Sequence, residues 1–252
     1  MANDQNSLWQ AMVYDMYACY YKYRNPRLYI MYYQKHLQAL QNALQSRAGG
    51  QSQNPSGISP GMTMIRVLHA SPDAPAVDVY VNRRLVLSNV SYRQISDYMQ
   101  VPGGQYRIDI FPAGNQTSAV LSENILLMPG ITYTLAATGP LAKLKLFPIV
   151  DRPFVSAGET KVKFVHLSPD APAVDVAVKN GDVLFPNVSF MTSTKYQSVP
   201  AGKVDLEVRI AGTDTVALDV PKVQFKADTA YTIFALGFAN GNPPLEALLV
   251  KG

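Results

Sequence analysis

From residue 62 to residue 250 apolar and polar side chains alternate with a period of two, the spacing of strands that bury one face. In "AVDVYV" the pattern puts Val77, Val79 and Val81 together; "QYRIDIF" does the same with Tyr106, Ile108 and Ile110, and "KVDLEVRI" with Val204, Leu206, Val208 and Ile210. "MTMIRVLHA" alternates only loosely. Between these runs stand "SPDAP", "PGG", "FPAGN", "MPG", "PAG" and "AGTD", whose Pro, Gly, Asn and Asp residues set turns that strand interiors do not accept. Short antiparallel strands with little helical pattern predict a sandwich of two sheets, with a small barrel as the competing arrangement.

The first 46 residues follow a different period. Residues 8–23 predict a helix with Leu8, Met12, Met16, Tyr20 and Tyr23 near one side, ended by Pro26, which restricts the residue before it. In the helix expected next, Ile30, Tyr33, Leu37, Leu40 and Leu44 fall three and four apart, the seam expected for helix packing. Residues 1–46 therefore read as a helical hairpin, and 47–61, rich in Gly, Ser, Gln and Pro, as a flexible linker. Eight of the fifteen tyrosines lie between residues 13 and 36 and occupy more than one helix face. Trp9, Tyr14, Tyr17, Tyr20, Tyr21, Tyr29, Tyr32 and Tyr33 do not all fit a two-helix core, so they are candidate binding or assembly residues, offering flat aromatic area with a hydroxyl at its edge. The plainer reading packs them onto the first sandwich.

The strand-rich part repeats itself. "VLHASPDAPAVDVYV" at 67–81 recurs as "VHLSPDAPAVDVAV" at 165–178, His69 matching His166 at a spacing of 97 residues. After one inserted residue the spacing is 98, with "NVS" at 89–91 and 187–189 and "YTLA" at 133–136 answered by "YTIF" at 231–234. The expected organisation is one sandwich over 62–150, a hinge at 151–159 and a second sandwich over 160–252.

Composition removes several alternatives. The net charge of +4 is spread without a basic run, and only Lys22, Arg24, Arg27 and Lys35 accompany the tyrosine cluster, so no nucleic-acid partner is expected. A single cysteine, Cys19, excludes an internal disulfide. No stretch of about twenty apolar residues predicts a transmembrane segment, and the first residues show no signal peptide.

Each repeat carries a polar set: His69, Ser71, Asp73 and Asp78, then His166, Ser168, Asp170 and Asp175. A serine, an imidazole and a carboxylate are the groups of a Ser/His hydrolase, since the imidazole must take the serine proton and the carboxylate must orient it. Against this, Ser71 precedes Pro72 in a turn and lacks the flanking glycines of a nucleophile elbow. The expectation is no enzyme: Asp73 and Asp170 accept backbone N–H groups in their turns, and Asp78 and Asp175 point away from the core. Three histidines, one in the hairpin and one in each repeat, form no metal cluster, and no Gly-rich phosphate loop precedes a helix, so neither metal nor cofactor is expected.

"RVLHASPDAPAVDVYVN" and "KFVHLSPDAPAVDVAVK", followed by "VPGGQYRIDIFPAG" and "VPAGKVDLEVRIAG", resemble the bacterial domain family of unknown function DUF4397 over about three quarters of the chain. The resemblance implies a mainly β protein, two tandem immunoglobulin-like antiparallel β-sandwich domains, here preceded by the α-helical hairpin, with no catalytic residues. It also implies an exported or envelope setting. Combined with the tyrosine cluster and the absent leader, it gives the expectation of a structural or adhesive protein of the bacterial cell surface or spore coat. That protein would self-associate into a homo-oligomer or join a surface-layer protein. The alternatives are a cytoplasmic location and a pair of carbohydrate- or protein-binding modules, for which the outer strand faces would take a glycan.

Overall fold

A computed structural model of the protein describes residues 11, 13–15, 18, 26–47 and 61–252. They belong to two compact units, one within residues 1–55 and the other within 56–252.

The N-terminal unit is a helical hairpin. Residues 11, 13–15 and 18 are helical, and a second helix runs Pro26–Arg47. Proline suits a first helical position because its missing N–H would be unpaired there in any case. His36 Nδ1 donates to the carbonyl of Ala11 at 2.8 Å, and the rings of Tyr14 and Tyr32 lie 6.4 Å apart. The seam expected from the sequence is displaced by one residue. Ile30, Tyr33 and Leu37 of the expected seam are exposed at 53%, 37% and 38%, Leu40 is half-buried and the Leu44 side chain lies outside those described, whereas Ala39 is buried and Tyr29, Tyr32 and His36 are half-buried. Positions 29, 32, 36 and 39 share the same three-four-three spacing. The larger apolar side chains were expected to set the seam, but the inward stripe carries the His36 hydrogen bond and a small alanine, and Ala11 and Ala18 are also buried.

The second unit holds both repeats. In the first, β1 (Met62–Ala70), β4 (Met99–Pro102), β7 (Thr132–Thr138) and β8 (Lys145–Asp151) form a sheet in the order β4-β1-β7-β8. It faces a sheet of β2 (Val77–Val81), β3 (Arg84–Val90), β5 (Gly104–Pro112) and β6 (Leu121–Leu127), in the order β3-β2-β5-β6. The second repeat copies this plan. Strands β9 (Thr160–His166), β12 (Thr192–Ser193), β13 (Gln197–Ser198), β16 (Thr229–Leu236) and β17 (Glu246–Lys251) face β10 (Val174–Val178), β11 (Val183–Val188), β14 (Gly202–Ile210) and β15 (Val216–Phe225). One pair per repeat departs from antiparallel pairing: β1 with β7 and β9 with β16 run parallel. A parallel neighbour requires a long crossover, which the facing sheet supplies.

Each sandwich has its own core. Ile65, Val67, Val79, Ile110 and Leu135 meet in the first, and Val162, Phe164, Val176, Val208 and Ile233 in the second. A third apolar cluster joins the repeats: Leu68, Ala70, Ala136 and Ile149 of the first pack with Val165, Leu167, Phe234 and Leu236 of the second. The β1 and β9 sheets are thus buried on both faces, inward against their own sandwich and outward against each other. This is why "MTMIRVLHA" alternates only loosely: Ile65 and Val67 point one way, Leu68 and Ala70 the other. Asp151, expected to open the hinge, is the last residue of β8 and is buried at the junction.

Candidate functional site

The repeated polar motif sits where β1 and β9 end. Ser71 is fully buried, and its Oγ donates to the carbonyl of Gly139 at 2.6 Å. Gly139 has φ +94°, and a Cβ there would lie 3.0 Å from the Lys143 carbonyl oxygen, so the turn after β7 both favours glycine and leaves no room for a side chain. Asp73 Oδ1 accepts the N–H of Leu141 from the same turn at 2.8 Å. In the second copy Asp170 accepts the N–H groups of Ala239 and Asn240 at 2.7 and 3.0 Å. The carboxylates were expected to serve their own turns. They instead clip the loop that follows the parallel neighbour, 68 to 70 residues further along.

The histidines are committed as well. His69 Nε2–H donates to the Pro75 carbonyl and His166 Nε2–H to the Pro172 carbonyl, both at 3.0 Å, because a carbonyl can only accept. Each Nδ1 is buried without a hydrogen-bond partner. Burial holds both imidazoles below their usual 6.5, so they are neutral at neutral pH. Ser71 spends its proton on Gly139, while Ser168 Oγ is buried with no partner. The structure places serine, histidine and aspartate side by side in sequence without joining serine to imidazole, the contact nucleophile activation needs.

Asp78 and Asp175 occupy a third structural niche. Asp78 accepts the N–H groups of Asn89 and Gly114 at 2.8 and 3.0 Å, and Asp175 those of Asn187 and Gly212 at 2.6 and 2.9 Å. Asn89 and Asn187 have positive φ, 54° and 50°, in strands whose register shifts beside them. Each carboxylate holds a bulge on one neighbouring strand and a turn on the other. These N–H donors keep both carboxyl groups below the usual aspartate value. The side chains do point away from the core, yet Asp78 is buried among backbone donors.

The sequence reading missed the charged cluster between the repeats. Lys163 Nζ lies 2.7 Å from Asp151 Oδ1, and Asp151 Oδ2 accepts from Tyr98 OH at 2.8 Å and from Thr134 Oγ1. Arg66 Nε donates to Thr134 Oγ1 at 2.9 Å, its Nη2 stands 3.7 Å from Asp151, and its guanidinium lies 4.4 Å from the centre of the Tyr98 ring. Arg66, Asp151 and Lys163 are all buried. The arrangement is reciprocal: Arg66 Nη1 donates to the carbonyl of Lys251 in the second repeat, and Lys163 Nζ to that of Val150 in the first, both at 2.8 Å. Arg66 and Lys163 are repeat equivalents, 97 residues apart, as are Tyr98 and Tyr196 at 98. Burial lowers the Lys163 pKa against the opposing pull of Asp151, and burial raises the Tyr98 and Tyr196 hydroxyls. A signal was present: a cation inside an apolar run of each strand, "MIRVL" and "VKFV".

Of the candidate assembly residues, Tyr33 is exposed and Tyr14, Tyr29 and Tyr32 are half-buried; Trp9, Tyr17, Tyr20 and Tyr21 lie outside the described residues. Tyr29 and Tyr33 stack with ring centres 5.9 Å apart, and the Lys35 ammonium lies 5.7 and 5.8 Å from the Tyr14 and Tyr32 rings. Among the described residues no three His, Cys, Asp or Glu side chains group as a metal site would need, and no helix is long and apolar enough to cross a membrane.

A tandem sandwich with these loop clips defines a class of paired β-domain proteins. The chain belongs to the domain-of-unknown-function family DUF4397, whose model matches residues 63–177 and 175–251. No curated protein matches it. Among solved structures it is similar to the Bacillus anthracis TIE protein at 15% identity and a TM-score of 0.21, over 77% of this chain and 41% of that one. A putative cell adhesion protein from Bacteroides fragilis is similar at 10% identity and a TM-score of 0.20, over 75% of this chain and 97% of that one. A leucine-rich repeat protein from Bacteroides thetaiotaomicron is similar at 14% identity and a TM-score of 0.17, over 68% and 25%. This chain thus spans about two fifths of the first of these.

Proposed function

We propose that this protein is a non-enzymatic structural or adhesive protein of the bacterial surface, in the cell envelope or spore coat, and that it assembles through its N-terminal hairpin. The observation that carries the reading is the outward stripe of Ile30, Tyr33 and Leu37 on the Pro26–Arg47 helix. Three large apolar side chains at helical spacing, beside stacked tyrosines, offer the surface that an identical helix can cover. The tandem body supports the reading in another way. Ser71 and the histidines and aspartates of the repeated motif are engaged in holding loops, and a third apolar cluster joins the two sandwiches, giving a stiff element. Copies joined at the hairpin would present several such bodies at once, and attachment would gain from multivalency.

The test is sedimentation equilibrium of the full chain beside an Ile30→Glu/Leu37→Glu variant. The reading expects an oligomer that the variant dissociates while its β-sheet circular dichroism is retained. An oligomer of unchanged mass in the variant, or a monomeric parent, would remove the hairpin from assembly.

A further inference from the structure

At the junction of the two repeats a cleft of about 580 Å³ opens between the end of β8 and the strands β9, β12 and β13. Its wall carries Arg152, Lys161 and Lys195, the hydroxyl side chains of Ser193 and Thr194, and the ring of Tyr196; none of its lining residues is acidic. Lys163 also lines it, its Nζ held by Asp151 and the Val150 carbonyl. Arg152 and Lys195 are exposed, while Lys161 is held over the Tyr196 ring, 4.9 Å from its centre, and donates to the carbonyl of Phe154. Glu159 is the acidic group within electrostatic reach of Lys161, one charge against three at the rim.

A second imbalance adjoins it through Lys163. The buried cluster sets two cations, Arg66 and Lys163, against one carboxylate, Asp151. The β8 position of Asp151 corresponds to Gly252, just past β17, since Val150 pairs with Tyr133 as Lys251 pairs with Tyr231. The near-symmetric junction therefore has a side-chain carboxylate on one side alone. Among the side chains of this buried cluster cations outnumber carboxylates two to one, a setting in which a further cation is costly and an incoming anion is favoured.

We propose that this cleft binds a small organic oxyanion, a phosphate or carboxylate carried on a compact body that rests against Pro148 and Val150. Arg152 supplies a planar two-pronged donor, Lys161 and Lys195 point charges, and Ser193 a neutral hydrogen bond, while the Thr194 hydroxyl is held by the Lys195 carbonyl and the Phe164 N–H. The volume falls within the range of small-molecule sites, about 300–1,000 Å³. This site goes beyond the assembly reading and does not depend on it, because it lies wholly within the tandem body.

The experiment is a titration of the isotopically labelled full chain with inorganic phosphate and, separately, with citrate, read by amide NMR shifts at ionic strength held constant with sodium chloride. The expected result is saturable shifts centred on residues 150–152, 161–163 and 193–196 with at least one of the two. Saturation by phosphate alone assigns a phosphoryl ligand, and by citrate alone a carboxylate ligand. In a Lys161→Gln/Lys195→Gln variant the affinity should fall by about tenfold or more, as loss of charge-assisted contacts implies. Should that variant not fold, Lys195→Gln alone, altering an exposed side chain, should still weaken binding. Shifts that stay linear with both probes, or saturate with unchanged affinity in a folded variant, would overturn the proposal.

Discussion

Ser71 and Ser168 occupy the same place in the two copies of one motif, yet only Ser71 has a buried acceptor in reach, the Gly139 carbonyl. Removing a buried hydrogen bond while stranding its partner costs about 1–2 kcal/mol, whereas removing an unpartnered hydroxyl costs little. Ser71→Ala should therefore lower the melting temperature by a few degrees and Ser168→Ala should leave it nearly unchanged; equal losses would contradict the roles assigned to them. The bulge carboxylates give a pH signature. Because N–H donors depress the folded pKa of Asp78 and Asp175 below 3.8, their stabilising contribution is complete above that value and is lost as pH falls through the lower folded value. Asp78→Ala should cost about 1–3 kcal/mol at neutral pH. Urea midpoints compared at pH 7 and pH 3 should then show the parent and variant converging in acid; a gap that persists or widens would contradict the hydrogen-bond account. The residue types of the motif were legible in the sequence. Their partners were not, because Gly139, Leu141 and Ala239 contribute only backbone atoms, which leave no trace in side-chain pattern.

Among the elements, β1 and β9 carry the most information. Their nearly continuous burial records two buried faces, and Arg66 and Lys163 in the middle of those faces mark where one repeat meets the other. Sequence reading recognised both as strands and recognised the duplication, since periodicity and repeat spacing are local or self-referential signals. It did not assemble the junction, because the anion both cations share, Asp151, sits in a stretch that reads as the start of a hinge. Breaking a buried ion pair by deleting one partner leaves an uncompensated charge and costs about 3–5 kcal/mol. Asp151→Ala should accordingly reduce the urea midpoint far more than removal of an exposed carboxylate such as Asp219, whose pair with Lys179 is solvated. Comparable effects at the two sites would mean that the junction cluster does not stabilise the pairing of repeats. The hairpin shows the opposite kind of error. Its helical period was legible, but two stripes offset by one residue, 29/32/36/39 and 30/33/37/40, both satisfy it. Size favoured the second for burial, while the His36 hydrogen bond to Ala11 and the small Ala39 belong to the first.

For the whole molecule, the shared third core turns two domains of a duplicated sequence into one body, while the helical hairpin forms a compact unit of its own. The proposal assigns stiffness to the body and association to the hairpin, and the two can be separated by cutting the chain. Light scattering behind a sizing column, on the full chain and on residues 62–252 under reducing conditions, measures this division directly. The account expects a multimeric full chain and a folded, monomeric fragment; two monomers, or two multimers of the same order, would contradict it.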